Sequence, residues 1–211
     1  MTYKGVIFDL DGTILNSTKL NIDSFHHACE IHLGRRLDEK ELLKLYGKPL
    51  IEQMNHFCPE KANDMLIAYR EFSQKHHDKG NALFPDVVGL LEQLKNNGFK
   101  IGLVTSKTTT SGKRNLEFFN IKKFFDFLIY FEDVDKHKPN PDPYEKMINM
   151  MGLDTSEIIS IGDSPYDILG SKRAGLTTVL VGWTTFSNES FINCQPDYII
   201  NDFETFLKML R

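Results

Sequence analysis

The sequence predicts an α/β protein with a parallel sheet and an inserted helical domain, on three observations. Residues 5–8 form an apolar run that is typical of a central strand buried on both faces. Helix and strand patterns alternate from Pro85 onward, as they do in parallel α/β folds. Residues 16–80 carry a helical pattern too long for a simple crossover connection. We therefore expect a core built from residues 1–15 and 81–211, with residues 16–80 as a helical lid.

The insert is predicted to contain four helical segments. Apolar side chains recur at helical spacing through residues 20–33, and Gly34 follows as a stop. Asp38 opens a second segment with a capping-box pattern, and a third segment follows Pro49. Pro59 suits the first turn of a longer helix, because proline is tolerated where the backbone N–H has no helical partner.

The core is predicted to contain five strands besides the first. Each is a short apolar run, and the runs cover residues 99–104, 125–130, 158–161, 178–181 and 198–200. Asp86 and Asp202 stand where the N-caps of two helices are expected, and Gly98 and Gly152 stand where two helices should stop. The order of strands and helices favours one parallel sheet with helices on its faces.

Composition narrows the class of function. The net charge is −4, and the 25 lysines and arginines are scattered along the chain, so nucleic-acid binding is disfavoured. The sequence shows no cleavable apolar leader and no run long enough to cross a bilayer, which predicts a cytoplasmic protein without membrane contact. The three cysteines are far apart and lack a CxxC spacing, so neither a disulfide framework nor a zinc site is indicated.

Polar side chains follow three of the predicted strands, and a lysine precedes the last of them. They are Asp9 and Asp11, Thr105 and Ser106, Lys138, and Asp163 and Asp167. Because the carboxyl ends of parallel strands meet at one edge of a sheet, we expect these side chains to converge. Several carboxylates in one cleft repel each other unless a hard cation joins them, and oxygen ligands favour Mg²⁺. A Mg²⁺ ion beside a lysine and hydroxyl groups predicts a small phosphorylated metabolite as the partner.

Four short motifs at these positions resemble those of the haloacid dehalogenase superfamily. They are residues 9–13 (DLDGT), 105–107 (TSK), 138–141 (KPNP) and 162–167 (GDSPYD), in the family's order and at fitting spacing. The resemblance covers nearly the whole chain, and the insert is similar to the helical cap of the phosphoglycolate phosphatase-like branch. It implies a Rossmann-like catalytic core and a reaction through an aspartyl-phosphate.

The resemblance also implies roles for individual residues. Asp9 would be the nucleophile, Asp11 the general acid and base, and Lys138 the charge that steadies the transferring group. Thr105 would anchor the phosphate, with Ser106 beside it. Mg²⁺ would be held by Asp9, the backbone carbonyl of Asp11 and Asp163, with Asp167 supporting them.

Several assignments have simpler alternatives. Thr105 and Ser106 also fit a plain strand exit, and Asp167 also fits a salt bridge on its own helix. Lys136 competes with Lys138, although Pro139 favours the latter. Lys48 lies in the break between two predicted helices of the insert. It is either a substrate contact or an ordinary surface lysine.

The expected activity is Mg²⁺-dependent hydrolysis of a small phosphate monoester, similar to phosphoglycolate, or of pyrophosphate. A dehalogenase is disfavoured, because in the family that activity goes with loss of the second aspartate, and Asp11 is present. Two alternatives stay open: a phosphomutase of the β-phosphoglucomutase kind, and a non-catalytic protein that binds a metabolite. The sequence indicates neither the pathway nor the oligomeric state.

Overall fold

A six-stranded parallel sheet forms the centre of the protein. The computed structural model describes residues 3–43 and 45–210. In chain order the strands are β1 (Gly5–Phe8), β2 (Leu15–Asn16), β3 (Ala82–Leu83), β4 (Lys100–Val104), β5 (Phe127–Ile129), β6 (Ile158–Gly162), β7 (Thr177–Val181) and β8 (Tyr198–Ile200). The main sheet has the order β5-β4-β1-β6-β7-β8, and β2 and β3 form a separate two-stranded sheet. Every neighbouring pair in the main sheet is parallel, which confirms the predicted α/β class.

The described part of the chain contains nine α-helices. They are α1 (Thr18–Leu33), α2 (Glu39–Leu43), α3 (Leu50–Phe57), α4 (Ala62–Gly80), α5 (Val87–Asn96), α6 (Thr109–Phe118), α7 (Asp142–Met151), α8 (Pro165–Arg173) and α9 (Phe203–Met209). No helix among these residues is long and apolar enough to cross a membrane.

The side chains of β1 alternate between two hydrophobic clusters. Val6 and Phe8 pack in one cluster with residues of α5 and α9, whereas Ile7 packs in another with Tyr144 and Met147 of α7. All four residues of β1 are buried. Helices therefore cover both faces of the sheet, which explains why the strand is apolar at every position rather than at alternate ones.

The chain divides into two compact units. One contains residues 1–15 and 83–211, and the other contains residues 16–82. The second unit has a hydrophobic core of its own, in which Phe25 of α1 packs with Met54 of α3 and Met65 of α4. This unit ends at residue 82, two residues after the end of α4 and within the short strand β3.

The helix ends predicted at Gly34, Gly98, Gly152 and Asp202 are right, and the cap predicted at Asp86 is wrong. Gly34 follows α1 with a positive φ of 68°. Asp202 caps α9 by accepting a hydrogen bond from the backbone N–H of Thr205 over 2.6 Å. Gly98 and Gly152 adopt positive φ angles just after α5 and α7, as C-terminal stops do. Asp86 precedes α5 but its side chain makes no capping bond, because its φ of 63° differs from the extended conformation that N-caps adopt.

Candidate active site

A buried ion pair between Asp9 and Lys138 lies at the carboxyl edge of the sheet. Asp9 directly follows β1, and its backbone N–H still donates to the carbonyl of Ile161 in β6 over 3.0 Å. The Lys138 ammonium donates to Asp9 Oδ1 (2.8 Å), to Asp167 Oδ1 (2.6 Å) and to the carbonyl of Val104 (2.8 Å). These three bonds use all the hydrogens of the ammonium group, which fixes its position among the carboxylates. Lys136 is 70% exposed and pairs with Asp142 instead.

The start of α8 holds Asp167 in place. The Ser164 hydroxyl accepts from the backbone N–H of Asp167, while Asp167 Oδ2 accepts from both the N–H and the hydroxyl of Ser164. This reciprocal capping box leaves the other carboxylate oxygen, Oδ1, to face Lys138 and the hydroxyl of Tyr144. The start of α8 therefore orients the carboxylate of Asp167 toward the site, in addition to capping the helix.

Three buried carboxylates form a cluster with the donor atoms of a metal site. One oxygen each from Asp9, Asp163 and Asp167 lies within 4.8 Å of the others. Burial raises the pKa of Asp9 to about 7 despite the opposing effect of Lys138. Burial, together with Asp167, Asp9 and Asp11, raises the pKa of Asp163 well above its usual range. Such a set of oxygens suits a hard divalent cation, which would relieve the repulsion.

Gly12 allows the backbone to approach this cluster. Its φ is +79°, and a Cβ atom built on it would lie 2.2 Å from Asp163 Oδ2. No side chain fits there, so the turn after Asp11 depends on glycine for both conformation and space. The close approach brings the backbone of residues 11–13 beside the carboxylate of Asp163.

Asp11 and Thr105 lie at the same edge of the sheet, and both contact Lys107. Asp11 is partly buried and its Oδ1 forms an ion pair with Lys107 Nζ over 3.1 Å. Thr105 is 5% exposed, and its hydroxyl oxygen accepts from the backbone N–H of Lys107 over 3.2 Å. That bond leaves the hydroxyl hydrogen of Thr105 available to donate to a ligand.

Ser106 and Lys48 are the remaining two site residues predicted from the sequence, and they lie in different units of the chain. Ser106 is half-buried and lines a small pocket together with Thr105, Tyr130 and Lys138. Lys48 belongs to the helical unit, in the loop between α2 and α3, where its carbonyl oxygen accepts from the Gln53 side chain over 2.8 Å. The main chain of Lys48 is therefore fixed within that unit.

Several residues that contact this site have no role predicted from the sequence. The Thr13 hydroxyl donates to Asp9 Oδ2 over 3.5 Å, and the Thr184 hydroxyl donates to the carbonyl of Asp163 over 2.6 Å. Ser164 was recognisable from the S-x-x-D spacing of a capping box. Tyr144 gave no signal, because an aromatic residue on an amphipathic helix is usually a core residue.

A sequence model of the haloacid dehalogenase-like hydrolases matches residues 6–181. This span includes Asp9, Lys138 and the whole carboxylate cluster. The chain belongs to this family of hydrolases, and the resemblance of its four motifs is confirmed.

The names of similar proteins narrow the class of hydrolase to the phosphatases. A protein of Caldanaerobacter subterraneus subsp. tengcongensis is 38% identical over 211 residues, which are 100% of this chain and 96% of that protein. Pyrophosphatase PpaX of Halalkalibacterium halodurans is 33% identical over 100% of this chain and 98% of its own. Both carry the name PpaX. A crystal structure described as a predicted phosphoglycolate phosphatase from Haemophilus somnus 129PT is 25% identical, with a TM-score of 0.86 over 100% of this chain and 99% of that one. The protein is a phosphatase of the haloacid dehalogenase-like family.

Proposed function

We propose that the protein is a Mg²⁺-dependent phosphatase that hydrolyses pyrophosphate or a small phosphate monoester through an aspartyl-phosphate on Asp9. The observation that carries this proposal is the buried Asp9–Lys138 pair beside two further buried carboxylates. A carboxylate attacks phosphorus only where the repulsion between the carboxylate and the phosphoryl group is reduced. In this site Lys138 and a cation bound by the carboxylates would reduce it.

The charges of the site fit one divalent cation. When all four are ionised, Asp9, Asp11, Asp163 and Asp167 carry four negative charges, and Lys138 and Lys107 offset two of them. The donors are oxygens, which favours Mg²⁺ over zinc. Asp9 and Asp163 would hold the ion together with the backbone carbonyl of Asp11, and Asp167 would support them. When bound, Mg²⁺ would supply positive charge to the oxygens of the transferring phosphoryl group.

The chain's own residues then divide the reaction into two steps. Asp9 Oδ attacks the phosphorus while Asp11 gives a proton to the leaving oxygen, which breaks the P–O bond to the leaving group. In the second step Asp11 takes a proton from a water molecule that attacks the phosphorus, which releases phosphate and restores Asp9. Lys138 keeps Asp9 oriented in both steps and offsets charge on the phosphoryl oxygens, and the Thr105 hydroxyl donates to one of those oxygens.

The names of the relatives support pyrophosphate as the first substrate to examine. Pyrophosphatase PpaX of Halalkalibacterium halodurans matches the chain along its full length, and the name of the Haemophilus somnus protein points to phosphoglycolate. We assign residues 16–82 as a cap that selects the substrate, with Lys48 as a contact to its non-reacting end. Both substrates carry a second anionic group that a lysine can bind.

The test measures phosphate release from pyrophosphate, phosphoglycolate and β-glucose 1-phosphate, with Mg²⁺ or with excess chelator. We expect phosphate release from pyrophosphate or from phosphoglycolate. This release should depend on Mg²⁺ and should be lost in Asp9→Asn. Isomerisation of β-glucose 1-phosphate faster than phosphate release would replace the hydrolase with a mutase. Binding of these compounds without turnover would identify a non-catalytic protein.

A further inference from the structure

Lys107 forms a second lysine–carboxylate pair in the site. Its ammonium lies 3.1 Å from Asp11 Oδ1, and the two side chains are 18% and 21% exposed. Lys95 and Asp126 form a comparable pair away from the site, with side chains 35% and 32% exposed. The Lys107 pair is thus shielded more from water, and shielding strengthens a charge interaction.

The main chain of Lys107 is held at both of its polar groups. Its N–H donates to the hydroxyl oxygen of Thr105 over 3.2 Å, and its carbonyl accepts from the backbone N–H of Phe131 over 2.9 Å. Thr105 is anchored in turn, because its own N–H donates to the carbonyl of Ile129 over 3.0 Å. The ammonium of Lys107 therefore extends from a fixed backbone and not from a free loop.

We propose that Lys107 is the positioning residue of Asp11, holding its carboxyl group in the orientation that proton transfer to the leaving oxygen requires. This inference rests on the proposed function, in which Asp11 is the acid and base. General acid catalysis requires the donor within hydrogen-bond distance of the leaving atom, and a side chain that rotates freely loses that geometry. While Asp11 acts as the acid, Oδ1 would accept a hydrogen bond from the Lys107 ammonium and Oδ2 would carry the proton, so the contact with Lys107 restricts the rotation of the carboxyl group.

Lys107 and Lys138 thereby have separate tasks. Lys138 bonds to Asp9 and Asp167, the carboxylates on the nucleophile's side of the site, whereas Lys107 pairs with the acid and base. A residue that acts through Asp11 should affect only the proton transfers that Asp11 performs, and the first of these is the protonation of the leaving oxygen. It should leave the attack by Asp9 unchanged when the leaving group needs no proton.

The test compares Lys107→Met with wild type on an alkyl phosphate and on 2,4-dinitrophenyl phosphate, whose leaving group departs unprotonated. The value of kcat/KM reports the steps up to formation of the aspartyl-phosphate. We expect Lys107→Met to lower kcat/KM for the alkyl phosphate by about tenfold or more relative to the dinitrophenyl ester, a fraction of the usual 100-fold or greater effect of general acids. Lys107→Arg should restore part of the loss, and Lys95→Met is the matched control for loss of an ion pair.

A double variant separates positioning from direct substrate binding. In an Asp11→Asn background, Lys107→Met should cause no further selective loss, because the group it positions is gone. An equal loss of kcat/KM for both esters, a further loss that is selective for the alkyl ester in that background, or an unchanged kcat/KM for the alkyl ester would each overturn the inference. The Asp11→Asn single variant tests the proposed function separately: if it lowers kcat/KM by the same factor for both esters, the acid role of Asp11 fails.

Discussion

Asp9 and Lys138 are 129 positions apart in the chain and meet in a buried 2.8 Å hydrogen bond. One follows the central strand of the sheet, and the other belongs to the loop before α7. The same ammonium reaches Asp167, so a single lysine connects three separate segments of the chain.

Asp9→Asn should abolish phosphatase activity without changing the fold. The amide keeps the size of the side chain but is a poor nucleophile, so we expect kcat to fall by at least about 1,000-fold, equivalent to about 4 kcal/mol. Phosphate release measures the activity, and circular dichroism measures whether the fold is unchanged. A rate within about tenfold of wild type, in protein checked by mass spectrometry for deamidation, would remove the nucleophile role from Asp9.

Lys138→Met should destabilise the protein as well as inactivate it. Removing one partner of a buried ion pair leaves charge without compensation, so the free energy of unfolding should fall by about 3 kcal/mol in the absence of divalent cations. Urea denaturation with chelator present measures the change. The control is Lys136→Met, since Lys136 is 70% exposed, and its effect should stay within about 0.5 kcal/mol. Equal effects of the two variants would contradict the structural role of Lys138.

Mg²⁺ should raise the thermal midpoint of the wild-type protein, and Asp163→Asn should weaken this effect. A cation that binds only the folded state stabilises it in proportion to the logarithm of its concentration. The variant removes one buried carboxylate of the cluster, so more Mg²⁺ should be needed for half-maximal activity. Ca²⁺ should bind but inhibit, because its larger and looser shell positions the nucleophile poorly. Full activity of the wild type in excess chelator would exclude a metal requirement.

The contribution of Asp9 and Asp163 to the stability of the metal-free protein should fall as the pH rises from about 4 to about 7. Burial raises the pKa of Asp9 from 3.8 to about 7 and also raises that of Asp163. In this window these two carboxyl groups hold more protons in the folded state than in the unfolded state, so their contribution to the free energy of unfolding decreases with increasing pH.

Asp163→Asn provides the matched comparison for this pH effect. Without divalent cations it should be more stable than wild type at pH 8, where a buried carboxylate is costly, and the difference should shrink at pH 5. Thermal melts at the two pH values measure it. A difference that does not change with pH would show that Asp163 does not titrate as its surroundings indicate.

Much of the core could be predicted from sequence because its strands are buried on both faces. Such strands are apolar along their whole length, and all six strands of the main sheet correspond to predicted runs. The strands β2 and β3 have only two residues each, which is too short for any periodic signal. Asp86 has a residue type suited to capping, but its backbone conformation depends on the turn around it.

The site could be predicted where it depends on strand ends and not where it depends on contacts between distant segments. The rule that parallel strands present their carboxyl ends at one edge was enough to group Asp9 with Asp163. The pairing of Lys107 with Asp11, and the hydroxyl of Tyr144 beside Asp167, require the path of two loops in three dimensions. Local sequence patterns contain no information on such contacts.

Lys48→Ala should lower kcat/KM for the best substrate by about tenfold while leaving the rate with p-nitrophenyl phosphate nearly unchanged. The reason is that loss of one charge-assisted bond to the substrate costs about 1.5 kcal/mol or more, and an aryl ester offers no anionic group at its non-reacting end. Lys75→Ala is the matched control, since Lys75 is an exposed lysine on α4 of the same unit. If Lys48→Ala and Lys75→Ala behave alike on both substrates, Lys48 is an ordinary surface lysine and the selectivity of the enzyme comes from other residues.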